Sequence, residues 1–447
     1  LLVAALLTGL LPATALAEEG QTSEADPAPA SETDPQPQAA NVATVNGEEF
    51  STLKDAIKKV PEGTETKVTL IGDIVMQTAD IVTIPAGKKV ILDMAGRSIT
   101  VDSGFSGRPI ENNGTLTVTG NGTIDSSMAA DGRGSIYNAG TLTVENGTFQ
   151  GALENRYANI WNAGTASFHG GTYDTSCTAI GTSGGSTTTI TGGTYESPWY
   201  PAVDNSGNMT ITGGKFINTS CSSCDREHWG YTIRSGFYSS DAHLDIKYAT
   251  VTGTQGAVTV VGGTAEIHDG DFKTVPCSKN HDSAYCALYV AGESYEAKAT
   301  VYGGTYTAAS KEAIWVGNSG SDGGAKAKAI LQIHGGSFTS GPDAAAVKVD
   351  NTIGDLEVES GTFSGKIGEE YLADDIEMVQ RGDQWVVGTP DELAVADVDG
   401  IKCTTLKEAI SAISGTGTIT LLQDYDATSE GTITFDAEKA VTLDLDG

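Results

Sequence analysis

The sequence predicts an all-β solenoid, a coil of short strands, and three observations carry that prediction. First, a Gly-Gly-Thr-Tyr motif or a close variant returns nine times, most intervals falling between 21 and 35 residues. It reads Asn121-Gly122-Thr123-Ile124, Asn146-Gly147-Thr148-Phe149, Gly170-Gly171-Thr172-Tyr173, Gly192-Gly193-Thr194-Tyr195 and Gly213-Gly214-Lys215-Phe216. It continues as Asp269-Gly270-Asp271-Phe272, Gly303-Gly304-Thr305-Tyr306, Gly335-Gly336-Ser337-Phe338 and Ser360-Gly361-Thr362-Phe363. Self-similarity at such a period marks units that bury their apolar faces only against their neighbours. Second, apolar residues alternate with small polar ones before the motifs, as in Leu116/Val118, Leu142/Val144 and Met209/Ile211, the period of a strand with one buried face. Third, Asn-x-Gly corners precede these strands: Asn112-Asn113-Gly114, Asn138-Ala139-Gly140, Asn162-Ala163-Gly164, Asn205-Ser206-Gly207 and Asn318-Ser319-Gly320. A further apolar stretch such as Ser135-Ile136-Tyr137 lies ahead of each corner, so one repeat holds two or three strands.

Three strands per turn make a parallel β-helix. Like strands would pair at about 4.8 Å, stacking the asparagines into an amide ladder and the Phe/Tyr positions into an aromatic one. Because Ile124 takes the ring position in one turn, that aromatic ladder is expected in the core. About ten turns would make a rod ~45–50 Å long. Insertions at 217–250, 273–300 and 316–329 should project as loops.

Taken in order, residues 1–17 read as the end of a signal peptide, with Ala15-Leu16-Ala17 as the cleavage site. The basic segment that opens such peptides is missing, so the sequence is expected to begin inside one. Residues 18–41, rich in Pro, Glu, Asp and Ser, read as a disordered linker. Residues 42–100 form an N-terminal cap and the first turns, with Ser51 capping a helix over Thr52–Lys59 whose Leu53, Ala56 and Ile57 share a face. The coil proper spans 101–363. Residues 364–390 close it, with Trp385 over the last turn and a hinge at Pro390. Residues 391–447 repeat the cap: Thr405-Leu406-Lys407-Glu408-Ala409-Ile410 matches Thr52-Leu53-Lys54-Asp55-Ala56-Ile57. A second coil is expected to start there, which makes the chain one piece of a longer, monomeric tandem array.

The cap "FSTLKDAI…VTLIGDI…VILDMAG", the "GGTY/GGTF" turns and the closing "FSGKIGEEYLA…GDQWVV" resemble large secreted proteins of Gram-positive gut bacteria. These carry right-handed parallel β-helix domains of the pectate-lyase-like superfamily. Over nearly all of 42–447, the resemblance implies that fold, a short helix-bearing N-terminal cap and a secreted or cell-surface (cell wall) location. It transfers no activity, since the superfamily hosts lyases, hydrolases, adhesins and spacers.

The net charge of −32, from 26 basic and 58 acidic residues, excludes nucleic acid as a partner and disfavours an anionic membrane. Past the leader no apolar stretch could span a bilayer. Lyases on this fold need acidic residues and an Arg or Lys together, and hydrolases need close Asp pairs. Asp204 stands alone in the sequence, and no Arg aligns with an acidic cluster in a neighbouring turn. No catalytic residue, metal or other cofactor is assigned. His169, His268 and His334 share one repeat position with Thr119, Glu145, Thr191, Thr212 and Glu359, an outward polar site. Cys177, Cys221, Cys224, Cys277 and Cys286 are read as disulfide formers in an exported protein, with Cys277–Cys286 closing one insertion and Cys221 joining Cys224 or Cys177. Zinc held by Cys221, Cys224, His228, Cys277, His281 and Cys286 is the alternative. Cys403 is read as a buried filler. Exposed aromatics in insertions, Trp199, Tyr200, Trp229, Tyr231 and Tyr295, are the candidates for ligand contact. The expected function is an exported adhesin-like or spacer rod presenting loops to host or microbial glycans or surface proteins; the alternative is a polysaccharide lyase or glycoside hydrolase on the same fold.

Overall fold

The computed structural model describes residues 40–151, 157–174, 178–198, 200–218, 231–276, 286–318, 326–350 and 352–445. Among them the chain is mostly β, organised as large parallel sheets, the architecture of a β-solenoid. From Ile110–Asn112 the chain runs to Thr115–Thr119, then to Thr123–Asp125, then to Ile136–Asn138, and each strand pairs in parallel with its counterpart one turn on. Repetition of this circuit builds three sheets of 14, 14 and 11 strands, named here for their inward residues: aliphatic, aromatic and asparagine.

Each sheet follows from its repeat position. In the aliphatic sheet Leu116, Leu142, Met209, Leu244 and Leu331 point inward and are buried, while Thr117, Thr143, Thr189 and Thr210 alternate outward. In the aromatic sheet Phe149, Tyr173, Tyr195 and Phe216 stack at 4.6–5.0 Å, as do Phe272, Tyr306, Phe338 and Phe363 at 4.8–4.9 Å, all fully inside. The expected core position of this ladder is therefore observed. Val251 separates the two stacks, on a strand Thr250–Gly253 that lacks the glycine pair and belongs to a turn the motif alone does not show. Each buried tyrosine hydroxyl donates to the carbonyl of the first glycine of its own motif: Tyr173 to Gly170 at 3.0 Å, Tyr195 to Gly192 at 2.8 Å and Tyr306 to Gly303 at 3.2 Å. The turn that brings the chain round also satisfies the phenol, which explains why Tyr and Phe interchange here.

At the corner between the asparagine and aliphatic sheets Asn112 donates to Asn138 and Asn138 to Asn162, both at 2.7 Å. These amides are fully buried and also bond the backbone, Asn138 Nδ2 reaching the Thr165 carbonyl at 2.9 Å. The glycine two residues on is steric: a Cβ at Gly140 would collide with the backbone carbonyl of Gly114 in the turn below. The amide ladder continues through Thr188, Thr182, Asn205 and Ser235, and gives way to Val260, Val290, Val316 and Val349. Asn318, read as another corner, lies two residues beyond the position, which Val316 holds.

At the N-terminal end, helix α1 (Leu53–Lys59) packs Leu53, Ala56 and Ile57 into the core. Its cap is Thr52, whose side chain accepts from the Asp55 amide at 3.1 Å, rather than Ser51. At the other end Gln384–Gly388 pairs antiparallel with Gly361–Phe363, and Glu377–Arg381 pairs outside it, so parallel stacking of the aromatic sheet stops there. Pro390 starts the one-turn helix α2 (Pro390–Leu393), with Thr389 and Glu392 forming a capping box. Beyond it the first elements recur: Ala396–Val398 pairs antiparallel with Ile401–Cys403 and with Thr416–Leu421, and Thr416–Leu421 pairs in parallel with Ala440–Asp444. This is the pairing of Ala43–Val45, Glu48–Phe50, Glu65–Leu70 and Lys89–Asp93. Helix α3 (Leu406–Ala412), capped by Thr405, stands where α1 does. Cys403 is buried in this second cluster with Val398, Ala409 and Ile419. Among the described residues no helix is long and apolar enough to cross a membrane.

Candidate functional site

The outward column of the asparagine sheet differs from the threonine-rich columns of the other two. It runs Glu111, Tyr137, Trp161, Gly181, Asp204, Arg234, Thr259, Tyr289, Trp315 and Lys348, one residue per turn.

Asp204 and Arg234 are its centre. Asp204, which the sequence shows without a second Asp for a carboxylate pair, meets an arginine from the next turn. The parallel register sets the two opposite each other on adjacent strands, and the guanidinium grips the carboxylate with two bonds, Nε–Oδ1 at 3.0 Å and Nη2–Oδ2 at 2.7 Å. Both side chains are mostly covered, at 13% and 17% exposure. Burial works against the Arg234 charge, but Asp204 outweighs it and holds the guanidinium above its ordinary range. Phe237 lies over the guanidinium at 4.1 Å, and Tyr238 meets Phe237 edge-on at 4.7 Å. Both rings are exposed, at 38% and 64%. The pair is thus locked in one orientation beneath two accessible rings.

Aromatics continue along the column in both directions. The Trp161 indole spreads over Gly181, where a Cβ would lie 2.9 Å from the ring. On the other side Tyr289 packs between Tyr231 at 5.5 Å and Trp315 at 4.9 Å, and the Lys348 ammonium sits 3.7 Å from the Trp315 ring centre.

Of the expected ligand-contact residues, Trp199 and Trp229 lie outside the described residues. Tyr200 is half-buried, and its carbonyl accepts from Asn218 at 3.0 Å. Tyr231 is half-buried against Val261, Cys286 and Tyr289, a packing position. Tyr295 is 37% exposed and lies against Gly262, one residue beyond Val261 at the same end of the sheet. Phe237, Tyr238 and Arg234 escaped the sequence reading because the repeat is broken there by an insertion. Aligning Ala202-Val203-Asp204-Asn205 with Thr232-Ile233-Arg234-Ser235 on the buried Val203 and Ile233 would have found the pair.

The cysteine reading needs correction at Cys286. It is buried and carries no disulfide, its thiol pushed up by burial within the small apolar cluster. It lies two residues before the asparagine-sheet strand Leu288–Val290, packed with Val261, Tyr289 and Ala291. Cys177, Cys221, Cys224 and Cys277 lie outside the described residues, as do His228 and His281.

The outward histidines occupy one column of the aliphatic sheet as expected, with Tyr302 before the Gly303-Gly304 pair and Lys247 in the turn the motif did not mark. Along it His169 meets Thr191 at 3.0 Å, His268 stacks on Tyr302, Tyr302 stacks on His334, and His334 bonds Glu359 at 2.6 Å. Metal-ligating side chains come together there, at Asp245, Glu266 and His268. Comparison of the chain with family models, with curated proteins and with solved structures finds no match.

Proposed function

We propose that this protein is a secreted or cell-surface binding module, a right-handed parallel β-helix of pectate-lyase-like type whose Arg234 face engages neutral glycans. Right-handedness is the general rule for parallel crossovers. The helix-bearing segments at 42–100 and 391–445 act as N-terminal caps of successive coils, and the leader-like residues 1–17 direct export.

One observation carries the glycan reading: a two-bonded Asp–Arg pair held beneath exposed aromatic rings on the outward column of one sheet. Sugars present apolar C–H faces that stack on such rings, and vicinal hydroxyls that pair with a carboxylate and a guanidinium together. The charge of −32 argues for an uncharged glycan over a polyanionic one. Since Asp204 is engaged by Arg234, it is committed to holding a geometry rather than to proton transfer, which favours binding over turnover.

The test is a glycan array probed with the full chain, paired with a polysaccharide-degradation screen. Binding to neutral glycans without sugar release is expected, and Phe237→Ala with Tyr238→Ala should weaken it by roughly ten- to a hundredfold, the worth of stacked rings at a binding centre. Release of reducing or unsaturated sugar would replace this reading with that of a carbohydrate-active enzyme.

A further inference from the structure

We infer that Asp245, Glu266 and His268, on the outer face of the aliphatic sheet, form a binding site for a zinc-class divalent cation, with Lys247 as its built-in competitor. Two of the three stand on adjacent strands, His243–Ile246 and Gly263–Ile267, with Asp245 in direct register opposite Glu266, and His268 directly follows the second strand. Lys247 and His268 follow at the next outward position of the same two strands. One ligand atom from each of Asp245, Glu266 and His268 falls within 4.8 Å of the others.

The hydrogen bonding of this group does not close. The Lys247 ammonium lies 2.9 Å from His268 Nε2 and 3.1 Å from Asp245 Oδ2. An ammonium only donates, so the imidazole must present a lone pair at Nε2. Yet Asp245 Oδ1 is 3.4 Å from that same Nε2, and Glu266 Oε2 is 3.6 Å from it. Neither is a hydrogen bond, so with the Lys247 bond made the Nε2 lone pair faces two carboxylates, and Asp245 Oδ1 is left buried without a hydrogen-bond donor. Two carboxylates and an imidazole lone pair converge on one point, and a divalent cation is the species that satisfies all three.

The ammonium already stands near that point as a weak surrogate. Lys247 is 47% exposed, so it can swing into solvent. Glu266, at 46%, can rotate to close the remaining gap to metal–ligand distances of about 2.1 Å. The Tyr302 ring, stacked on His268 at 4.8 Å, holds the imidazole plane. An imidazole with two carboxylates suits zinc, cobalt or nickel, whereas calcium prefers an all-oxygen shell. Three protein ligands leave a fourth position open to water or a ligand oxygen.

Calorimetric titration of the full chain with zinc, and separately with calcium, tests this. Saturable zinc binding is expected, weakened at least a hundredfold by His268→Ala and tightened about tenfold by Lys247→Met, since that variant removes a competing charge. Cobalt(II) should give a visible spectrum without near-ultraviolet thiolate charge transfer, which separates this site from the cysteines. The two substituted side chains, His268 and Lys247, are 33% and 47% exposed, and circular dichroism checks that the variants fold. Zinc heat unchanged in His268→Ala, cobalt bound with thiolate charge transfer, calcium preferred over zinc, or no binding even in Lys247→Met would each overturn the assignment.

Discussion

Asn138 shows how much a single residue carries in this coil. Its amide donates to Asn162 and to the Thr165 carbonyl, while its oxygen accepts from Asn112, and the three asparagine side chains are fully buried. Replacing it by Ala leaves partners in the turns above and below unsatisfied, each a desolvation cost of about 1–3 kcal/mol. Asn138→Ala is therefore expected to destabilise by roughly 3 kcal/mol or more in urea unfolding; a loss under about 1 kcal/mol would mean water replaces the amide. Tyr195 separates two effects in the same way. Tyr195→Phe removes the hydroxyl that donates to Gly192 and also interacts with Tyr173, worth about 1 kcal/mol, whereas Tyr195→Ala opens a cavity within the ring stack and should cost about 3–5 kcal/mol. Arg108 is a further buried singularity. It donates to the Ile136 and Asn159 carbonyls, and burial pulls its pKa down to about 10.

At the scale of elements, the aromatic sheet gives the coil an alkaline limit. Burial pushes the phenols of Tyr173, Tyr195 and Tyr306 above their ordinary value. The unfolded chain releases these protons first, at about pH 10, so their contribution is intact below that pH and is lost as pH climbs through the raised folded values. Melting temperature should therefore fall steeply above about pH 10, and the triple Tyr→Phe variant at these positions should flatten the fall. An unchanged slope in the triple variant would assign alkaline unfolding elsewhere. The element scale also explains why turn length misled the reading of the missing turn. The 217–250 segment, expected to project as a loop, instead holds the coil strands Ile233–Ser235 and His243–Ile246, so Met209 pairs with Leu244 within it and Phe216 with Val251 just past it.

For the whole molecule, the coil is close to one-dimensional, each turn touching only its neighbours. Leu116→Ala and Leu331→Ala, both in the buried leucine column but eight strands apart in the sheet order, should each cost about 2–5 kcal/mol. The double variant should equal the sum within about 0.5 kcal/mol, and a larger discrepancy would reveal coupling along the coil. The charge of −32 adds self-repulsion that salt screens, so the melting temperature should rise as sodium chloride increases from low to moderate concentration.

The sequence by itself determined the solenoid, its three strand types, the buried rings and amides, and the second appearance of the α1 unit. Each of these is a local pattern repeated, and repetition makes every turn report on the next. Only the tertiary structure decided which outward residues meet. Asp204 and Arg234 are 30 residues apart, and Lys247 and His268 belong to turns without a shared motif, so their pairing depends on register across corners of unequal length. Buried positions obey the repeat because the core admits few shapes. Outward positions are free to vary, and it is at those positions, where three-dimensional stacking alone makes neighbours, that both proposed sites lie.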